Sequence, residues 1–228
     1  MKRQLAALLC APAILFAAPS FASEPAGAGY NWSGCRAAFQ VSYDSMETDN
    51  TFGGVPVRGF DMNGFGIGGG LGCDWQSGAW VFGVLGDIAY SNPDDSFGSA
   101  GTNQFALESD WFASLRGRIG YAMDRGLIFN VPTLWYVTAG AAWTGLEARA
   151  AIPAGAWAKD SATASGWTVG WGSENALDAN WSIKTETLYV DYGTDTFFSP
   201  GNLVSGGVYR TDTTEWVSRI GVTYRFSH

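Results

Sequence analysis

The chain has 228 residues, 46% hydrophobic and only 15% charged, with 31 Gly, 11 Trp, 14 Phe, 9 Tyr and a formal net charge of −8. That acidity, with no clustered basic stripe, argues against a nucleic-acid partner. Beyond the N-terminal segment no stretch runs 18 apolar residues unbroken; the nearest, Leu127 to Trp143, contains Asn130, Pro132 and Gly140, so spanning helices are not expected.

Residues 1–22 read as a secretory signal. Lys2 and Arg3 supply the positive start, Leu5 to Phe16 the apolar run, and Ser20 and Ala22 frame a cut after Ala22. Pro12 and Pro19 break the run, which is short for an uncleaved membrane helix. Cys10 lies inside the run, where a lipid-bearing cysteine would follow it. Export would remove Lys2 and Arg3 and no acid, taking the formal charge from −8 to −10 and leaving residues 23–228. An exported chain rich in Gly and aromatics, without spanning helices, fits a β-barrel.

Eight alternating segments follow, each roughly ten residues long. The first runs from Ser33 to Tyr43, with Cys35, Ala37, Phe39, Val41 and Tyr43 on one face. In the second, Asn63 to Trp75, the residues Phe65, Ile67, Leu71, Cys73 and Trp75 oppose a face of glycines and Asp74. A glycine face suits a narrow barrel interior crowded by long side chains from other strands. The third spans Trp80 to Tyr90 with Asp87 on its polar face, and the fourth spans Asp110 to Tyr121 with Arg116 and Arg118 there. Leu134 to Trp143 is the fifth, and Gly166 to Leu177, carrying Glu174, is the sixth. Trp181 to Tyr192 carries Lys184 and Glu186, and Glu215 to Phe226 closes the chain with Arg219 on its polar face.

The expected fold is therefore all-β, an eight-stranded antiparallel up-and-down transmembrane barrel. Connections after the second, fourth and sixth strands are short. Those after the others are long: Asp44–Met62, Ser91–Ser109, Thr144–Ser165 and Gly193–Thr214. Long loops on one rim and short turns on the other is the outer-membrane pattern. A soluble lipocalin-like barrel or a sandwich would show the same alternation. Against it stand the charges opposite the apolar faces and the aromatics near strand ends: Tyr43, Trp75, Trp80, Tyr90, Trp111, Tyr121, Trp143, Trp181 and Tyr192.

The motifs along the chain carry a resemblance. Asn31-Trp32-Ser33-Gly34 resembles the opening of the opacity-type, OmpA-like small barrels of alphaproteobacteria, the outer-membrane immunogenic protein or porin family. Leu71-Gly72-Cys73-Asp74-Trp75-Gln76, Leu115-Arg116-Gly117-Arg118-Ile119-Gly120-Tyr121 and Asn180-Trp181-Ser182-Ile183-Lys184-Thr185-Glu186 follow in the family's order. The resemblance implies a cell outer-membrane location, contact with lipid and lipopolysaccharide, and a last strand (Gly221, Tyr224, Phe226) addressed to the barrel assembly machinery. Three features depart from the pattern: Ser227 and His228 after Phe226, the insertion Gly126–Thr133, and cysteines at 35 and 73 in place of aromatics.

Cys35 and Cys73 fall near the same rim on the same face of neighbouring strands, so a cross-strand disulfide is expected, with two free thiols as the alternative. Asp87, Arg116, Arg118, Glu174, Lys184, Glu186 and Arg219 are expected to form a charge network that plugs the lumen, with ion conduction as the alternative. The only histidine is His228 at the chain end, so no catalytic site, metal or cofactor is expected. Asp94-Asp95 lacks calcium-loop spacing, and Gly68-Gly69-Gly70 lies within a strand and is no phosphate loop. Three roles stay open: a structural, loop-displaying barrel, a small-solute diffusion porin, and an adhesin or receptor whose loops meet a host or a small ligand such as haem.

Overall fold

The structure, a computed structural model, describes residues 30–97, 105–126, 130–152, 156–197 and 209–226. The proposed signal segment, Ser227 and His228 lie outside the described residues. The strands in chain order are β1 (Gly34–Phe52), β2 (Val55–Val57), β3 (Asp61–Ser77), β4 (Trp80–Ser91) and β5 (Asp94–Phe97). They continue as β6 (Phe105–Met123), β7 (Thr133–Ile152), β8 (Ala156–Ala176), β9 (Trp181–Phe197) and β10 (Tyr209–Arg225). Eight of these make one antiparallel barrel in up-and-down order, and β1 closes it by pairing with both β10 and β3. The short β2 and β5 are hairpin additions on the loop rim.

The alternation read from the sequence sets the facing. Phe65, Leu71, Ile88 and Tyr90 point outward and are 62–73% exposed, whereas Arg116, Glu174 and Glu186 on the opposite parity are at most 3% exposed. This is a soluble barrel inverted, apolar outside and charged inside, and only a lipid surround makes it favourable. Aromatics ring the apolar band near both ends. Tyr43 meets Phe65 and Tyr189 meets Trp216 toward the loop rim; Trp80 meets Tyr121 and Trp181 meets Tyr224 toward the turn rim.

Three expectations change. First, the strands run well past the apolar band. β1 continues from Asp44 to Phe52, β7 reaches Ile152 and β10 begins at Tyr209, so much of each expected loop is ladder. A membrane of ~25 Å needs only about ten tilted residues per strand. Past the lipid the outward positions turn polar (Glu47, Asp49, Asp212), and the alternation loses its apolar signal. Second, Tyr192 belongs to no girdle: it points inward and is buried. Third, the glycines of β3 make room mainly for the backbone and Cβ atoms of the neighbouring strand, not for long side chains from other strands. A Cβ on Gly68 would stand 2.4 Å from the Ile88 carbonyl oxygen and 2.7 Å from the Ala89 Cβ. Of the Gly126–Thr133 insertion, residues 127–129 lie outside the described set, and the Gly126 N–H donates to the Val131 carbonyl at 2.8 Å.

Candidate functional site: the barrel lumen

The floor of the lumen, at the turn rim, is an aromatic cork. Trp32 is 1% exposed and packs with Val81, Leu134, Tyr136 and Ala176. Its backbone N–H donates to Gln76 Oε1 at 2.6 Å, and the Gln76 N–H donates to Ser33 Oγ at 3.0 Å, tying the entering segment to β3. Arg225 lies 5.0 Å over the rings of both Trp32 and Tyr30 and donates to the Asn31 carbonyl, which explains the Trp-Ser-Gly opening physically.

Above the cork lies a first ion-pair tier. Arg118 donates through Nε to Asp74 Oδ1 at 2.8 Å and through Nη1 to Glu174 Oε2 at 3.0 Å. Arg36 Nη1 reaches the same two acids at 2.9 and 2.7 Å. Ser182 Oγ donates to Glu174 Oε1 at 2.6 Å, and Arg225 stands 3.8 Å from that oxygen. Gly83 permits this tier, since a Cβ there would lie 2.0 Å from Asp74 Oδ1.

The second tier sits nearer the loop rim, two residues along β6 from Arg118. Arg116 bridges Asp87 at 2.9 Å and Glu186 at 3.0 Å, while Arg219 pairs with Asp87 and lies 3.7 Å from Glu186. Ser114, directly across from Asp87, donates to it at 2.7 Å and accepts Arg116 Nε at 2.9 Å. Lys184 stands 3.8 Å from Glu186 and donates to Gln40 at 2.9 Å. Every charge of the two tiers thus has an ion-pair partner, as burial demands.

All seven expected network residues therefore face the lumen, but they divide between the two tiers, with Glu174 and Arg118 in the lower one. Arg36, Asp74 and Arg225 belong with them and were absent from the expectation. Their alternation parity was the available signal: each lies on the polar face of its strand. Cys35 and Cys73 are directly paired in register and joined by a disulfide, with Cα atoms 3.9 Å apart. Tyr224 and Phe226 face outward with ring centroids 5.5 Å apart.

The loop-side half of the lumen was not foreseen. It is apolar: Met46, Phe60, Met62, Phe112, Leu146, Leu188, Val190 and Val217 pack into one buried cluster. Two carboxylates are embedded beside it. Asp44 accepts hydrogen bonds from Ser42 and Ser91, and Tyr192 donates to Glu215 at 2.6 Å. Among the described residues no group of three or more His, Cys, Asp or Glu could hold a metal ion.

This inverted barrel, with a charged interior and two rims of unlike loop length, matches a known family model. The outer membrane protein beta-barrel domain covers residues 8–226. The chain belongs to that family. It is 35% identical over 136 residues to a 22 kDa outer membrane protein of Rhizobium leguminosarum bv. viciae, covering 59% of this chain and 56% of that one. The chain thus spans just over half of that relative's length. It is 28% identical over 192 residues to a 31 kDa outer-membrane immunogenic protein of Brucella melitensis, covering 81% and 75% of the two chains. Among solved structures, the outer membrane protein OprG of Pseudomonas aeruginosa is similar at 12% identity and a TM-score of 0.49, covering 88% of this chain and 99% of that one. The family places the barrel in the outer membrane, with short turns in the periplasm and the long connections outside the cell.

Proposed function

We propose that the protein is a closed, non-enzymatic barrel that reinforces the outer membrane and displays its extended rim and loops, and that it is not a diffusion porin. The filled lumen supports this reading. The gap between Gln40, Asp44, Phe112 and Arg219 admits no water-sized sphere, and the cavity beside Arg36, Asp87 and Lys184 offers such spheres only about 20 Å³. A single water needs ~10–15 Å³, so a chain of waters does not fit. Every strongly charged lumen group in the two tiers is also committed to a partner, which leaves none to handle a passing solute or to act on a substrate.

Planar-bilayer recording of the reconstituted chain tests the proposal. The expected trace is flat, without discrete steps. Reproducible single-channel steps from the folded monomer would reject it in favour of the porin. In cells, deletion is expected to sensitise the envelope to detergent while leaving small-solute uptake unchanged.

A further inference from the structure

Outside the lipid, the extended ladder carries oxygens that neither the lumen network nor the proposed role uses. Asn50 of β1 stands directly across from Thr211 of β10, and Thr211 directly across from Asp195 of β9. Cross-strand neighbours on one face hold their Cβ atoms ~5 Å apart, so the three form a row. Thr213 lies two residues along β10 on the same face. Asn50 is 3% exposed, and Thr211 and Thr213 are fully buried at 0%. Asn50 Oδ1, Thr211 Oγ1, Thr213 Oγ1 and Asp195 Oδ2 are all buried atoms without a hydrogen-bond partner. One orphaned polar atom is ordinary; four gathered on one face need an explanation.

Two features set these oxygens on one inward face. The Asn50 amide nitrogen donates to the Arg58 carbonyl at 3.1 Å and to Thr48 Oγ1 at 3.2 Å, and since a carbonyl can only accept, Oδ1 is the atom turned away from them. Asp195 owes its facing to a β-bulge. Thr214 pairs with Asp191 and Thr213 with Gly193, so Tyr192 is skipped. Below the bulge the even positions of β9 face inward; above it Gly193 and Asp195 do. Gly193 takes the required φ of +68°, and its N–H donates to the Asp191 carboxylate at 2.9 Å. Without the bulge Thr194 and Thr196 would occupy this face.

A carboxylate, an amide oxygen and two hydroxyls, with no nitrogen or sulfur, are the donors of a hard cation. Burial raises the Asp195 carboxyl above its usual range, the response of a carboxylate lacking a counter-charge. We propose that Asp195, Asn50, Thr211 and Thr213 form a calcium site at the extracellular mouth, completed by water and clamping β9 and β1 across β10. With a single carboxylate its affinity belongs in the weak extracellular range, Kd ~10⁻⁴–10⁻³ M. Three of its four donors are neutral. The site is independent of the closed-lumen reading, and either can fail alone.

The test is isothermal titration of CaCl₂ into the full chain refolded in detergent free of lipopolysaccharide, with a heat-modifiable gel band confirming the fold. One calcium per chain is expected in that range. Asp195→Asn should weaken binding at least ~tenfold, whereas Asp212→Asn, an outward acid on β10, should leave it unchanged. Should Asp195→Asn fail to fold, the near-isosteric Thr211→Val must weaken binding instead. No saturable binding below ~10 mM calcium, tenfold above the weak end of that range, would overturn the proposal, as would unaltered affinity in the folded variants.

Discussion

Arg118 serves two acids at once, Asp74 through its Nε edge and Glu174 through Nη1. Removing one member of a buried ion pair leaves an uncompensated charge and costs ~3–5 kcal/mol. Arg36 still reaches both acids, at 2.9 and 2.7 Å, so Arg118→Met should sit near the lower end, ~3 kcal/mol. Arg118→Lys keeps the charge but loses the planar fork, and should lose an intermediate amount. Combining Arg118→Met with Arg36→Met should cost more than the two singles together, because the second change strips the last nearby guanidinium from Asp74. Urea unfolding in lipid vesicles measures all three. A loss under ~0.5 kcal/mol for Arg118→Met would show the tier to be ornamental to stability.

At the scale of strands, the membrane-spanning pattern was legible because lipid imposes a strict period: Phe65, Ile67 and Leu71 outward, Arg116 and Arg118 inward. The extensions were not. Asp44 to Phe52 alternates just as strictly in the fold, but between buried Met46, Thr48 and Asn50 and exposed Glu47 and Asp49, a contrast that composition does not display. The bulge at Tyr192 is a second blind spot, since one skipped residue inverts the parity of everything after it. Within the lumen, polar parity located the charges, but pairing depends on register, which put Asp74 and Glu174 between the same two arginines. The β1–β3 hairpin shows register and covalent chemistry agreeing. Its ladder runs from Gly34–Asp74 to Glu47–Asp61, and the Cys35–Cys73 bridge lies one step from its periplasmic end. Because the ladder is continuous, Cys35→Ser with Cys73→Ser should still assemble and show a heat-modifiable band. For a bridge spanning 38 residues of sequence, the chain-entropy model puts the lost stability at up to ~4 kcal/mol. Equilibrium unfolding of the double variant, beside the reduced native chain, should give the same loss in both; failure of the double variant to assemble would mean the bridge directs folding.

Across the whole molecule, the proposed closure is redundant. Trp32 corks the periplasmic end, two tiers of ion pairs fill the middle, and Phe112, Leu188 and Val217 with their neighbours close the outer half. These layers resist ions by different physics. The tiers present fixed charges locked to one another, so a passing ion must break pairs. The apolar layer excludes water, and a dewetted constriction stops ions even when it is wide enough for them. Opening one layer therefore leaves the others in place. Arg116→Ser with Arg219→Ser should unpair Asp87, leave Glu186 only Lys184, and destabilise the barrel, yet produce no conductance, because the apolar layer above remains dry. Phe112→Ala with Leu188→Ala should also stay silent, since the tiers below remain paired. Joining the four changes to Trp32→Ala should give a cation-preferring pore, Asp87 and Glu186 then lining a wetted path without their arginines. Single-channel recording of the three variants decides it. Steps in the arginine variant alone would mean that the apolar layer yields to water on its own, and that the ion pairs are the sole barrier holding the lumen shut.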